Sequence, residues 1–180
     1  MRIYTIGHST RSAAELSELL RVERVCLLVD VRRFPRSRRH PQFNIETLPV
    51  TLADSGIGYR HIEALGGRRR RSLTADASPN TGWDAEGFRT YADYAMTAPF
   101  RDALNTLVGL AQSRTVAIMC AEALWWHCHR RIISDYLLVR GFDVIHILGP
   151  GETKRAGLTP GAEPQADATV HYPPAQPRLF

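Results

Sequence analysis

The run Thr115-Val116-Ala117-Ile118-Met119, together with the polar residues just after it, constrains this chain more than any other stretch. An unbroken series of apolar and β-branched residues suits a strand buried on both faces, as in parallel sheets covered by helices on either side. The run ends at Cys120-Ala121-Glu122. After Ala123 to Trp126, His127-Cys128-His129-Arg130-Arg131 opens a helical pattern. Its apolar residues are Ile132, Ile133, Tyr136, Leu137 and Leu138, and Gly141 stops it. Thiols, a carboxylate, imidazoles and guanidiniums therefore crowd one strand-to-helix junction. In open α/β sheets such junctions are where ligands bind.

The rest of the chain repeats this alternation. Arg2 to Ile6 reads as a strand broken by Gly7-His8-Ser9-Thr10, and Ser12 with Glu15 forms a capping box for a helix burying Leu16, Leu19 and Leu20. Val25 to Val31 is a second strand, ending in Asp30-Val31-Arg32-Arg33. Phe34 to Asn44 holds two prolines and no usable period, so it reads as a loop, docked by Phe34 and Phe43 at its ends. Ile45 to Asp54 is a short helix closed by Gly56 and Gly58, Tyr59 to Ile62 a third strand, and Leu65-Gly66-Gly67 a turn. Helices over Trp83 to Met96 and Phe100 to Ala111 flank Pro99, and Phe142 to Leu148 is the last strand. The order β-α-β-α-β-α-α-β-α-β predicts one α/β domain over residues 1–148. Its sheet is open and mostly parallel, with about five strands and helices on both faces. Residues 149–180 form a Pro/Gly-rich tail that builds no core of its own, with Val170-His171-Tyr172 and Leu179-Phe180 tying it to the domain.

Composition narrows the function classes. At 180 residues and 44% hydrophobic, the chain can bury a real core. No apolar run nears the roughly 18 residues of a membrane span. Met1 leads into a strand-like segment rather than a signal peptide, so a cytoplasmic protein without a membrane partner is expected. Three cysteines do not make a secreted disulfide framework. Cys26, inside an apolar run, reads as a buried small hydrophobe. The net charge is +5, and all 23 cations except Lys154 are arginine, the residue suited to bidentate phosphate and carboxylate recognition. They cluster at Arg32 to Arg39 and Arg68 to Arg71.

If the sheet forms this way, its strand carboxyl ends bring together His8-Ser9, Asp30-Arg32-Arg33, Gly66-Gly67, Cys120-Glu122 and His127 to Arg130. A first reading is a cleft for a phosphorylated ligand, a nucleotide or nucleic acid. Cys120 is then a candidate nucleophile, Glu122 or Asp30 a general acid/base, and His8 a second proton-transfer group. Ser9, Arg32, Arg33, Ser37, Cys128, His129 and Arg130 are the candidate substrate-binding residues. The cysteine junction is loosely similar to the loops of rhodaneses and tyrosine phosphatases, although Cys120 and Arg130 stand too far apart for that compact loop. A second reading is a zinc site using Cys120, Cys128 and His129, with His8 and Glu122 as further acceptable ligands. A third is a non-catalytic nucleic-acid-binding module, whose arginine clusters grip phosphates while Phe34, Phe43, Trp83, Trp125 or Trp126 stack on bases. Against these stand plainer roles. Both thiols could simply pack against the helix, Arg130 bridge to Glu122, and the charge runs be solvated faces. His146 reads as a core histidine, His40 and His61 as surface, and Phe88, Tyr91 and Tyr94 as core. The sequence names no cofactor and no oligomeric state.

Taken together, several motifs resemble the bacterial and archaeal domain-of-unknown-function 488 family. They are Thr5-Ile6-Gly7-His8-Ser9, Asp30-Val31-Arg32 with Pro35 and Ser37, and Tyr59 with Leu65-Gly66-Gly67. Tyr91, Tyr94, Met119-Cys120-Ala121-Glu122, Cys128-His129-Arg130 and His146 extend the likeness over almost the whole chain. The resemblance implies a small α/β domain and brings no reaction with it. Between Glu122 and Cys128 the chain departs from the family's usual polar turn, so Trp125 and Trp126 read as a local lid or as packing.

Overall fold

The computed structural model describes residues 1–71 and 77–175. Strands β1 (Arg2–Gly7), β2 (Leu27–Asp30) and β4 (Val116–Cys120) are buried along nearly their whole length, which is what their continuous apolar runs require. With β3 (Gly58–His61), β5 (Asp143–Gly149) and β6 (Glu152–Arg155) they make a sheet of order β3-β2-β4-β1-β5-β6, parallel except for β6. Helices α1 (Ala13–Val22) and α2 (Leu48–Ala53) cover one face through Leu16, Leu20, Leu48 and Leu52. Helices α3 (Glu86–Ala95), α4 (Ala98–Ala111) and α5 (Arg130–Val139) cover the other through Tyr91, Phe100, Leu104, Ile132 and Tyr136. This is the expected α/β domain with helices on both faces. No helix among the described residues is long and apolar enough to cross a membrane.

The order of the strands positions the site. β4 enters between β1 and β2. The helices that come after β1 and β2 lie on one face, and the helix that comes after β4 lies on the other. Chain connections therefore diverge above the carboxyl end of β4, which leaves a crevice at the switch point.

Several boundaries differ from the sequence reading for local reasons. The capping box forms as expected, with Ser12 Oγ accepting from Glu15 N at 3.1 Å and Glu15 Oε2 accepting from Ser12 N at 2.6 Å. Pro49 and Pro99 sit in the first turns of α2 and α4, where a missing N–H costs nothing, so α2 starts at Leu48 and α4 at Ala98. Residues Trp125–His127 form a separate 3-10 turn, so α5 begins at Arg130 rather than His127. Strand β6 was not expected. Its residues Glu152–Arg155 are all exposed on the sheet edge and carry no apolar signal. Cys26 corrects the reading of a buried thiol: it precedes β2 and is exposed.

The residues after β5 also form a short hairpin, β7 (Glu163–Pro164) with β8 (Val170–His171). Tyr172 is buried, and its hydroxyl donates to Asp135 Oδ2 at 2.8 Å while Thr159 N donates to Asp135 Oδ1 at 2.8 Å. Asn80 Oδ1 accepts from Tyr172 N at 3.0 Å, and Gly82 N donates to Tyr172 O at 2.8 Å. The expected tie through Leu179 and Phe180 lies outside the described residues. Burial pushes the Asp135 pKa up, so its carboxylate depends on these donors. Tyr172→Phe removes one of them and is expected to destabilise the protein by about 1–3 kcal/mol. Urea unfolding at neutral pH checks this, and an unchanged midpoint would show that the tie contributes nothing.

Candidate functional site

A cleft of about 790 Å³ opens over the carboxyl ends of the sheet. Its floor is Cys120, Cys128 and His129. Its walls include His8, Arg32 and Arg33 after β1 and β2, Glu122 after β4, and Gly67 and Arg68 from the turn after β3. The junctions that the sequence pointed to thus meet in one cavity.

The floor is built from the β4 end and the turn into α5. Cys120 and Cys128 are both buried and free. His129 Nε2 lies 2.9 Å from the Val31 carbonyl, which can only accept, so Nε2 carries the proton. That leaves Nδ1 facing the sulfurs, 3.6 Å from Cys128 Sγ and 3.9 Å from Cys120 Sγ. The Tyr91 ring packs on the same imidazole at 5.1 Å between centroids. A Cβ at Gly67 would stand 2.9 Å from Nδ1, so only glycine lets that turn lie against the ring. The amide of Arg130, at the first turn of α5, points to Cys128 Sγ at 3.5 Å. Burial opposes a charge on Cys128. The hydrogen bond with Cys120, the His129 imidazole and the Arg130 guanidinium outweigh it and hold Cys128 well below a normal thiol pKa. The hydrogen bond with Cys128, burial and the Cys128 charge push Cys120 well above it. Of the two sulfurs, Cys128 is the one whose ionisation the surroundings favour.

Beneath one wall lies a buried ion pair. Asp30, fully buried, accepts from Arg32 N at 3.0 Å, Arg32 Nε at 2.9 Å, Arg32 Nη2 at 2.6 Å and Tyr59 Oη at 2.8 Å. Arg32 also donates to the Phe43 carbonyl at 2.6 Å and to His8 Nε2 at 3.2 Å. Arginine can only donate, so His8 Nε2 accepts and Nδ1–H donates to the Ser9 carbonyl at 3.0 Å. The His8 ring stacks on Phe43, with centroids 4.2 Å apart. Burial, with the nearby Arg32 charge adding to it, lowers the His8 pKa to about 4. His8 is thus a neutral acceptor with both nitrogens engaged, and Asp30 is a carboxylate with both oxygens engaged.

Other expected site residues sit differently. Arg130 was expected to hold an anion. It is instead 1% exposed and absent from the cleft walls, turned inward to donate to the carbonyls of Glu122 and Ala123 and to Thr5 Oγ1. A plain bridge to the Glu122 carboxylate is absent too, since only the Glu122 carbonyl is used. The Glu122 carboxylate makes no hydrogen bond or ion pair among the described residues, and Glu122 is one of the residues that line the cleft. Ser9 lies behind the wall, in left-handed backbone at φ 49°. Its N–H donates to Ala121 O at 2.9 Å, joining the β1 and β4 loops. Ser37 reaches the cleft, its hydroxyl accepting from His40 N at 3.1 Å and its N–H donating to Asn44 Oδ1 at 2.6 Å. Of the loop's two phenylalanines only Phe43 docks, while Phe34 is exposed at the cleft rim. Trp125 is packing, stacked on buried His146 at 4.2 Å. The sequence did not reveal Tyr59, Val31 and Thr5 as supports. Each acts through a carbonyl or a single hydroxyl, which leaves no spacing signal.

Residues 12–137 match the model of the family described as domain of unknown function DUF488. The chain belongs to this family. No curated protein and no solved structure matches it. The DUF488 match runs from α1 through Arg32, Arg33, Gly67 and the floor residues into α5, and His8 precedes it.

His8 gives this DUF488 site a pH signature. Its folded pKa near 4 lies below the ordinary 6.5, so the unfolded chain binds the extra proton between those values. Its contribution to stability is complete above pH 6.5 and is lost as pH falls toward 4, with a slope of at most about 1.4 kcal/mol per pH unit. Buried His146, lowered to about 3, adds in the same direction. Stability measured from pH 7 to 4.5 should fall less steeply in His8→Gln than in wild type. Equal slopes would contradict this placement of His8.

Proposed function

We propose that this protein binds a phosphorylated ligand of nucleotide size in the cleft, with its phosphate held above the Cys120–Cys128–His129 floor. The observation that carries this is the charge of the cavity. Among the described residues, six arginines line it against two carboxylates, Glu86 and Glu122. Arg32 is committed to buried Asp30. Arg33 and Arg36 pair instead with the exposed carboxylates of Glu63 and Glu46, weak contacts that a phosphate can replace, so recognition falls to Arg33, Arg36 and Arg68. Guanidiniums in a concave, partly dry site favour phosphate through paired charged hydrogen bonds. Phe34, exposed beside Arg33 with the guanidinium 5.3 Å from its ring centroid, offers a face for a base.

In this reading Glu122 is the general acid/base, because it is the carboxylate left unengaged over the floor. Asp30 and His8 are positioning residues, since their polar atoms already hold Arg32 and the Ser9 turn in place. The cleft volume favours a small ligand over an extended nucleic acid.

Calorimetric titration at low salt with a nucleoside monophosphate and with its unphosphorylated nucleoside tests the reading. The monophosphate should bind and the nucleoside should not. Arg33→Ala/Arg36→Ala should weaken the monophosphate about tenfold or more, with the fold checked by circular dichroism. Equal binding of both compounds, no binding of either, or full affinity in the double variant would overturn the proposal.

A further inference from the structure

The geometry points to a metal site on the cleft floor: Cys120, Cys128 and His129 bind one zinc ion, with the fourth position open to the cleft. Nothing in the phosphate reading requires this. Zinc–sulfur bonds of about 2.3 Å and zinc–nitrogen bonds of about 2.0–2.1 Å, at tetrahedral angles, put sulfur and nitrogen ligands about 3.6 Å apart. Nδ1 of His129 stands 3.6 Å from one sulfur and 3.9 Å from the other, and all three donor atoms lie within 4.8 Å of one another. Both sulfur–nitrogen pairs thus stand near the edge length of a tetrahedral site, and the third pair of donor atoms lies within 4.8 Å.

Two independent features support ligation rather than simple packing. The first is the orientation of His129. Its Nε2–H donates to the Val31 carbonyl at 2.9 Å, which holds the ring with Nδ1 turned toward the sulfurs, where an incoming metal ion displaces any proton on that nitrogen. A backbone carbonyl behind the imidazole is the usual outer partner of a metal-bound histidine. The second is the Arg130 amide aimed at Cys128 Sγ at 3.5 Å, a hydrogen bond suited to a metal-bound thiolate. Two thiolates and an imidazole are soft and borderline donors, which favour zinc over magnesium or calcium.

The set has three protein ligands and opens onto the cavity, the pattern of a reactive rather than a structural zinc site. Both cysteines bind as thiolates and release to solvent whatever protons they carried; no oxidation or reduction is involved. The vacant position is filled by water or by an oxygen of a bound anion. Cys26, exposed at the far end of β2, takes no part.

The test is metal analysis of the full-length protein, purified without chelator and with a reductant that does not bind metals. One zinc per chain is expected in wild type and in Cys26→Ser. Less than a tenth of that is expected in Cys120→Ser and His129→Ala, each checked for fold by circular dichroism. Where a variant fails to fold, cobalt is added to the metal-free wild type instead. Thiolate-to-cobalt charge transfer with the intense d–d bands of a tetrahedral ion supports the site, and an octahedral spectrum overturns it. Wild type without zinc that takes up none on addition also overturns it, as does zinc retained in both folded variants. Nucleotide titration of the metal-free protein runs in parallel. Zinc without nucleotide binding leaves the metal site standing and removes the phosphate reading, and the converse result does the opposite.

Discussion

A buried guanidinium with no carboxylate partner among the described residues holds the site together. Arg130 is 1% exposed, and desolvating such a cation costs several kcal/mol unless its surroundings compensate. Here the carbonyls of Glu122 and Ala123 and the hydroxyl of Thr5 provide that compensation. In return these carbonyls, at the point where β4 leaves the sheet, gain a donor they could not find in strand or helix. The same cation lies near the floor and adds to the lowering of the Cys128 pKa. One side chain therefore anchors the β4–α5 loop and also favours ionisation of the Cys128 thiol that the loop presents.

The packing around the loop leaves little freedom. A Cβ at Gly7 would lie 1.8 Å from the Glu122 carbonyl oxygen, and one at Gly66 would lie 2.6 Å from Arg33 N. These contacts clamp the β4–α5 loop to β1 and the arginine wall to the turn after β3. Opposite, the Asp30–Arg32 pair, with Tyr59 and His8 attached, makes a rigid polar base under the wall. Its charges are spent on each other. The other arginines that line the cleft stand outside this pair.

The fold was legible because it is written in long-range patterns. Continuous apolar runs at 25–31 and 115–119, and helical spacing in 100–111 and 132–138, predict a covered parallel sheet, and the sheet is there. The meeting of junction residues was legible for the same reason, since a parallel sheet puts every strand's carboxyl end on one edge. What individual side chains do there was not. Nothing in Asp30-Val31-Arg32 says that the carboxylate and guanidinium will grip each other. Nothing in Cys128-His129-Arg130 says that the arginine turns inward while the histidine turns toward the thiols. Those outcomes depend on tertiary partners such as Val31 O, Thr5 Oγ1 and Tyr59 Oη, which one-dimensional spacing does not encode. Strand β6 was hidden because an exposed edge strand needs no apolar residue.

The most direct test of a phosphate-binding cleft is a crystal structure grown with a nucleoside monophosphate. The account predicts the phosphate inside the cavity, contacted by Arg33 or Arg68 and lying over Cys120, Cys128 and His129. A phosphate bound elsewhere on the molecule, with the cleft filled only by solvent, would contradict it.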